Sequence, residues 1–103
     1  MNIQQAISCV IKREDISYDD MLQVMRTIMS GDASPAQIAG LLVGLSMKGE
    51  TLDEVTAAAT VMREMAVRVN VSKEPLIDTC GTGGDGLRSF NVSTATTFVV
   101  AAA

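Results

Sequence analysis

Over residues 1–70, apolar positions recur at intervals of three and four, the spacing that lines one face of an α-helix. Ile3, Ala6, Ile7, Val10 and Ile11 form the first such stripe, with Asn2 placed to cap its N-terminus. The second stripe is Tyr18, Met21, Leu22, Met25, Ile28 and Met29. Ser17 caps it, Asp19 and Asp20 suit the positive end of its dipole, and Gly31 ends it. A third start combines Ser34 at the cap, Pro35 at the first helical position and Gln37 three residues after the cap. Ile38, Leu41, Leu42 and Leu45 are its expected inner face. Gly40 and Gly44 lower that helix's intrinsic stability but let a neighbouring backbone come close, within the chain or across a subunit contact. Gly49 stops it. Thr51 and Glu54 then form the capping box of a fourth helix, with Val55, Ala58, Ala59, Met62 and Ala66 as its predicted stripe.

The pattern changes at Lys73, Glu74 and Pro75. Leu76 and Ile77 make a short apolar run bounded by a proline and a glycine cluster, which predicts a buried strand. Residues 91–94 supply cap side chains, and residues 95–103, carrying Phe98, Val99 and Val100, read as a helix whose apolar side needs a sheet to cover. The predicted architecture is a mostly α piece of an α/β protein. A small four-helix domain spans residues 1–70, and the first strand, glycine loop and helix of an α/β domain span residues 71–103. A lone strand leaves its N–H and C=O groups unpaired, so the chain is expected to stop short of a second parallel strand.

Composition supports helices. The 103 residues are 48% hydrophobic but 3% aromatic, so the core must be built from Ala, Val, Leu, Ile and seven Met. A formal charge of −4, with eight Lys and Arg scattered along the chain, argues against a nucleic-acid partner. Cys9 and Cys80 are too few for a disulfide framework or a zinc site and are expected to be free thiols in a reducing cytoplasm. No apolar run approaches the ~20 residues that cross a bilayer, and residues 1–5 lack the basic and apolar regions of a signal peptide, so no membrane partner is expected.

The candidate chemistry lies in Asp78-Thr79-Cys80-Gly81-Thr82-Gly83-Gly84-Asp85-Gly86. Glycines clustered after a strand free backbone N–H groups to converge on an anion, so the arrangement points to a phosphate cradle, with an ordinary tight turn as the alternative. Gly81, Gly83 and Gly86 match G-x-G-x-x-G, but the next helix opens only near Ser93, too late for a dinucleotide fold. A Walker A loop is excluded because no Lys followed by Ser or Thr closes the run. Asp85 beside a phosphate is repulsive unless it binds sugar hydroxyls or shares a divalent cation with the phosphate, which fits a phosphorylated sugar with Mg²⁺. Its alternative role is to cap a turn. Arg88 adds a cation, or is simply a solvated surface residue. Ser89, Asn91, Ser93 and Thr94 add neutral donors and acceptors just before a helix N-terminus, where the dipole favours anions and where one or two of them would serve as caps.

The run at 78–85, followed by Phe90-Asn91-Val92-Ser93-Thr94-Ala95, resembles the first two signature motifs of the anthranilate phosphoribosyltransferase family. The family also opens with a small helical domain, as residues 1–70 do. The resemblance implies a two-domain nucleoside-phosphorylase-like enzyme that moves phosphoribose from phosphoribosyl diphosphate to the amine of anthranilate in tryptophan biosynthesis. It further implies that Gly81, Gly84, Asp85, Ser89, Asn91, Val92, Ser93 and Thr94 contact phosphoribosyl diphosphate. Gly81 would also lie near anthranilate, the Ser93 hydroxyl would be a Mg²⁺ ligand, and the helical domain would form a homodimer. None of these residues is an obvious general base or nucleophile, so catalysis would rest on positioning and on Mg²⁺ at the departing diphosphate. The family's remaining motifs are absent, and the 103-residue piece alone is expected to be inactive. A pyrimidine nucleoside phosphorylase and a non-catalytic nucleic-acid-binding paralogue are the rival readings. The former's loop usually carries a Lys, and the −4 charge weighs against the latter.

Overall fold

The computed structural model describes residues 1–72, 74–81, 83 and 90–103. Five α-helices are present among them: α1 (Ile3–Ile11), α2 (Tyr18–Met29), α3 (Pro35–Lys48), α4 (Leu52–Met65) and α5 (Val92–Ala102). The chain forms two compact units, Met1–Arg68 and Val69–Ala103.

In the first unit each helix begins where a side-chain oxygen accepts from an N–H that has no partner in the helix. Asn2, Ser34 and Thr51 each accept from the residue three places on, and Gln5, Glu54 and Gln37 reciprocate by accepting from the cap's own N–H. Ser17 caps α2 by accepting from Asp20 N–H. Gly49, at φ 89°, ends α3 in a conformation that an L side chain resists.

α1 packs on α3, and α2 packs on α4. Between them lie Ile3, Ala6, Val10, Ile16, Met21, Val24, Leu41, Leu45 and Ala57. The Gly40–Gly44 spacing serves an intrachain contact: a Cβ on Gly44 would overlap Val10 Cγ2, so the missing side chain is what lets α1 settle on α3.

Two expected inner faces are corrected. Leu42 on α3 is 59% exposed, and on α4 the expected Val55 and Met62 are 54% and 53% exposed. The inward residues of α4 are instead Glu54, Ala57 and Val61, a stripe rotated from the purely apolar one. The cause is Glu54, whose carboxylate enters the interior because its partners are already there. Its Oε1 accepts from Ile16 N–H at 2.9 Å, and its Oε2 accepts from Thr51 N–H at 2.8 Å and Lys48 Nζ at 3.1 Å. Lys48 Nζ also donates to Asp15 Oδ1 at 2.7 Å and to the Gly49 carbonyl at 2.8 Å. One carboxylate therefore ties the α1–α2 connection, the end of α3 and the start of α4 together. Burial pushes its carboxyl group up, but the bonds from Ile16, Thr51 and Lys48 outweigh this and hold it below the ordinary value. Lys48 is held above its ordinary value, chiefly by its bond to Asp15, which outweighs burial, with Glu54 adding to it.

In the second unit the expected strand is not seen. No strand occurs among the described residues, and Leu76 and Ile77 are 63% and 64% exposed. A strand exists only by pairing its backbone with a neighbour, and no such neighbour occurs among the described residues. α5 buries none of its residues; Phe98 and Val99 are 73% and 69% exposed.

Candidate functional site

The residues around the glycine cluster are organised by α5. Asn91 is its N-cap, and the Asn91 Oδ1 accepts from Thr94 N–H at 2.9 Å. The helix N-terminus thus lies beside Val92, Ser93 and Thr94, where unpaired N–H groups and the dipole together favour an anion.

The chain running into the cluster lies against this same end of α5. Asp78 Oδ1 accepts from Cys80 N–H at 2.8 Å, turning the backbone locally. Thr79 Oγ1 and Thr97 Oγ1 are 2.7 Å apart, and Thr97 Oγ1 donates to the Ser93 carbonyl at 2.9 Å. A Cβ built on Gly81 would come 3.4 Å from Ser93 Oγ, in van der Waals contact, so Gly81 lies directly beside that hydroxyl. Gly83 has φ 70°, in the left-handed region where glycine is favoured.

Of the residues singled out in the sequence, Gly81 and Ser93 are brought together, and Asn91, Val92 and Thr94 share the first turn with Ser93. Gly84, Asp85 and Ser89 lie outside the described residues, as does Arg88. Thr79 and Thr97 were not singled out. Their only signal is spacing: Thr97 stands four residues after Ser93 on one helix face, and Thr79 stands two residues before Gly81.

Among the described residues no group of three or more His, Cys, Asp or Glu could hold a metal ion, and no helix is long and apolar enough to cross a membrane. Cys9 and Cys80 are free thiols. Burial, then Glu14, raises the Cys9 thiol above its ordinary value, which favours the protonated form.

Residues 4–66 match the family model described as the glycosyl transferase family, helical bundle domain. The chain belongs to this glycosyl transferase family. Residues 73–103 match the same family's a/b domain. Across all 103 residues the chain is 62% identical to an anthranilate phosphoribosyltransferase of Teredinibacter turnerae and 61% identical to one of Thioalkalivibrio sulfidiphilus. It is 58% identical to an anthranilate phosphoribosyltransferase of Cellvibrio japonicus. All of this chain, but only 30% of each relative, is covered. The chain therefore spans about 30% of the length of the curated relatives it matches.

Proposed function

We propose that the protein containing this chain transfers phosphoribose from phosphoribosyl diphosphate to the amine of anthranilate, releasing diphosphate, in tryptophan biosynthesis. The observation that carries this reading is 62% identity over all 103 residues to a protein of that name, glycine cluster included. The names of the relatives favour it over a pyrimidine nucleoside phosphorylase and over a non-catalytic nucleic-acid-binding paralogue.

In this reading Gly81, Gly84, Asp85, Ser89, Asn91, Val92, Ser93 and Thr94 form one half of the phosphoribosyl-diphosphate site, with Gly81 also facing anthranilate. The N-terminus of α5 places backbone N–H groups and a favourable dipole beside the anion. Gly81 lies directly beside the Ser93 hydroxyl. Neither residue takes or gives a proton; they hold the diphosphate while the anomeric carbon is displaced.

Mg²⁺ is usually bound through one or two carboxylates together with substrate phosphates and water, so an ion arriving with the diphosphate would be held chiefly by the phosphates, with this chain adding the Ser93 hydroxyl. Ser93 would supply a single neutral oxygen. When bound, Mg²⁺ neutralises charge developing on the departing diphosphate.

The two units correspond in this reading to a helical domain, residues 1–70, and the start of an α/β domain, residues 71–103. The helical domain dimerises through apolar surface that its own four helices leave open. Free cysteines and small charged substrates fit a cytoplasmic enzyme. The 103-residue piece, holding half of a site, gives no turnover.

The function is tested by offering the full-length protein two substrate pairs: phosphoribosyl diphosphate with anthranilate, and a pyrimidine nucleoside with phosphate. Turnover of the first pair alone is expected. Turnover of the second alone would overturn the proposal.

A further inference from the structure

We propose that Thr79 and Thr97 are positioning residues: their hydroxyl pair sets the register in which residues 78–81 lie on α5, and so keeps Gly81 beside Ser93. The inference rests on the reading of Gly81 and Ser93 as part of the phosphoribosyl-diphosphate site.

The direction of the pair follows from counting protons. A threonine hydroxyl has one hydrogen to donate. Thr97 uses its hydrogen on the Ser93 carbonyl, at 2.9 Å. With that hydrogen assigned to the Ser93 carbonyl, Thr79 is the donor in the 2.7 Å contact between the two hydroxyls. The result is a directed relay from Thr79 through Thr97 to the backbone of Ser93.

Thr96 shows what a helical threonine does without such a partner. Its hydroxyl donates to the Val92 carbonyl at 2.8 Å, an ordinary bond back to the preceding turn. Thr97 makes the equivalent bond, but its oxygen also receives the neighbouring segment. Two adjacent rungs result, Thr79 on Thr97 and Gly81 on Ser93. On a helix residues four apart share a face, which puts Ser93 and Thr97 in line, and the two facing residues of the incoming segment are Gly81 and Thr79. A slip of one residue would set Asp78 or Cys80 against α5 and take Gly81 away from the Ser93 hydroxyl. Thr79 and Ser93 are the half-buried members of this contact, whereas Asp78, Cys80 and Thr94 are exposed.

The pairing has a distinctive energetic signature. Removing one hydroxyl breaks the rung, whereas replacing both by groups of the same shape leaves an apolar contact with nothing unpaired. The two substitutions are thus expected to be strongly non-additive.

The experiment uses the full-length protein with Thr79→Val, Thr97→Val, the double valine variant and Thr97→Ser. Binding of Mg²⁺–phosphoribosyl diphosphate is measured by calorimetry, alongside the KM for each substrate. Each single valine variant is expected to weaken binding about fivefold, the scale of one hydrogen bond. The KM for phosphoribosyl diphosphate should rise in parallel, with kcat within about twofold. Thr97→Ser, which keeps the hydroxyl, should bind like wild type, and the double variant should be no weaker than either single one. A double variant weakened about 25-fold, the product of two independent effects, would overturn the pairing. So would single variants that lower thermal stability yet bind like wild type, since those residues would then be merely structural. If wild type itself does not bind the ligand, the proposed function fails and this inference with it; if wild type and all variants bind equally, only the positioning role fails.

Discussion

Glu54 shows how much one side chain can decide. A buried carboxylate is tolerated only when its charge is met, and here Ile16 N–H, Thr51 N–H and Lys48 Nζ meet it. Glu54→Gln keeps the shape but removes the charge, and should cost about 3 kcal/mol of stability, read by urea unfolding of the 103-residue chain. The pH dependence follows from the direction of the shift. The folded-state value of Glu54 lies below its unfolded one, so its stabilisation is fully present above the unfolded value and is lost as pH falls through the folded one. Lys48 has the opposite sign: its contribution is present below its unfolded value and is lost as pH rises through the raised folded value. Unfolding curves taken from about pH 7 down to about pH 3 should therefore show an acid limb in wild type that is shallower in Glu54→Gln. Equal slopes in the two proteins would contradict the assignment.

At the level of elements, the starts and stops of the helices were legible in the sequence because they depend on short-range bonds. Ser17, Ser34, Thr51 and Gly49 each act at the place that local rules assign them. The rotation of α4 was not legible, since a stripe counted from apolar residues alone leaves no room for an acid that points inward. The strand expected at Leu76 and Ile77 is not seen for a different reason, because strand character depends on a partner that local sequence does not supply. Of the candidate site, Gly81 and Ser93 stood out by residue type and the structure sets them side by side, while Thr79 and Thr97 carried only a spacing that many surface threonines share. The α1–α3 contact gives a paired prediction. Gly44→Ala should destabilise the chain by about 1–3 kcal/mol, because the new methyl overlaps Val10. Gly40→Ala should stabilise it by about 0.5–1 kcal/mol, because its Cβ would meet Ile7 Cδ1 at an ordinary 3.8 Å and helix propensity improves. Thermal melts of the two variants should move in opposite directions. A shared direction would contradict the packing described.

Considered as a whole molecule, the protein has two compact units, to which the proposed reading gives different tasks. The helical unit leaves Ile11 on α1 and Leu42, Val43 and Met47 on α3 exposed by 59–72%, more large apolar surface than scattered surface residues account for. In the proposed reading this surface meets a second copy. Sedimentation at micromolar concentration should show a dimer, and charged substitutions at Val43 and Met47 should shift it to monomer; a monomeric wild type would count against the interface. In the proposed reading the second unit carries the chemistry, in the segment 78–81, the glycine cluster and the capped N-terminus of α5. The central claim is that this end of α5 and the segment beside it hold phosphoribosyl diphosphate. Its most direct test is hydrogen–deuterium exchange of the full-length protein with and without Mg²⁺–phosphoribosyl diphosphate. The account predicts slower exchange on ligand addition in residues 78–81 and 91–94 and little change in the core of residues 1–68. Unchanged exchange in both segments, under conditions where the ligand is shown to be bound, would contradict it.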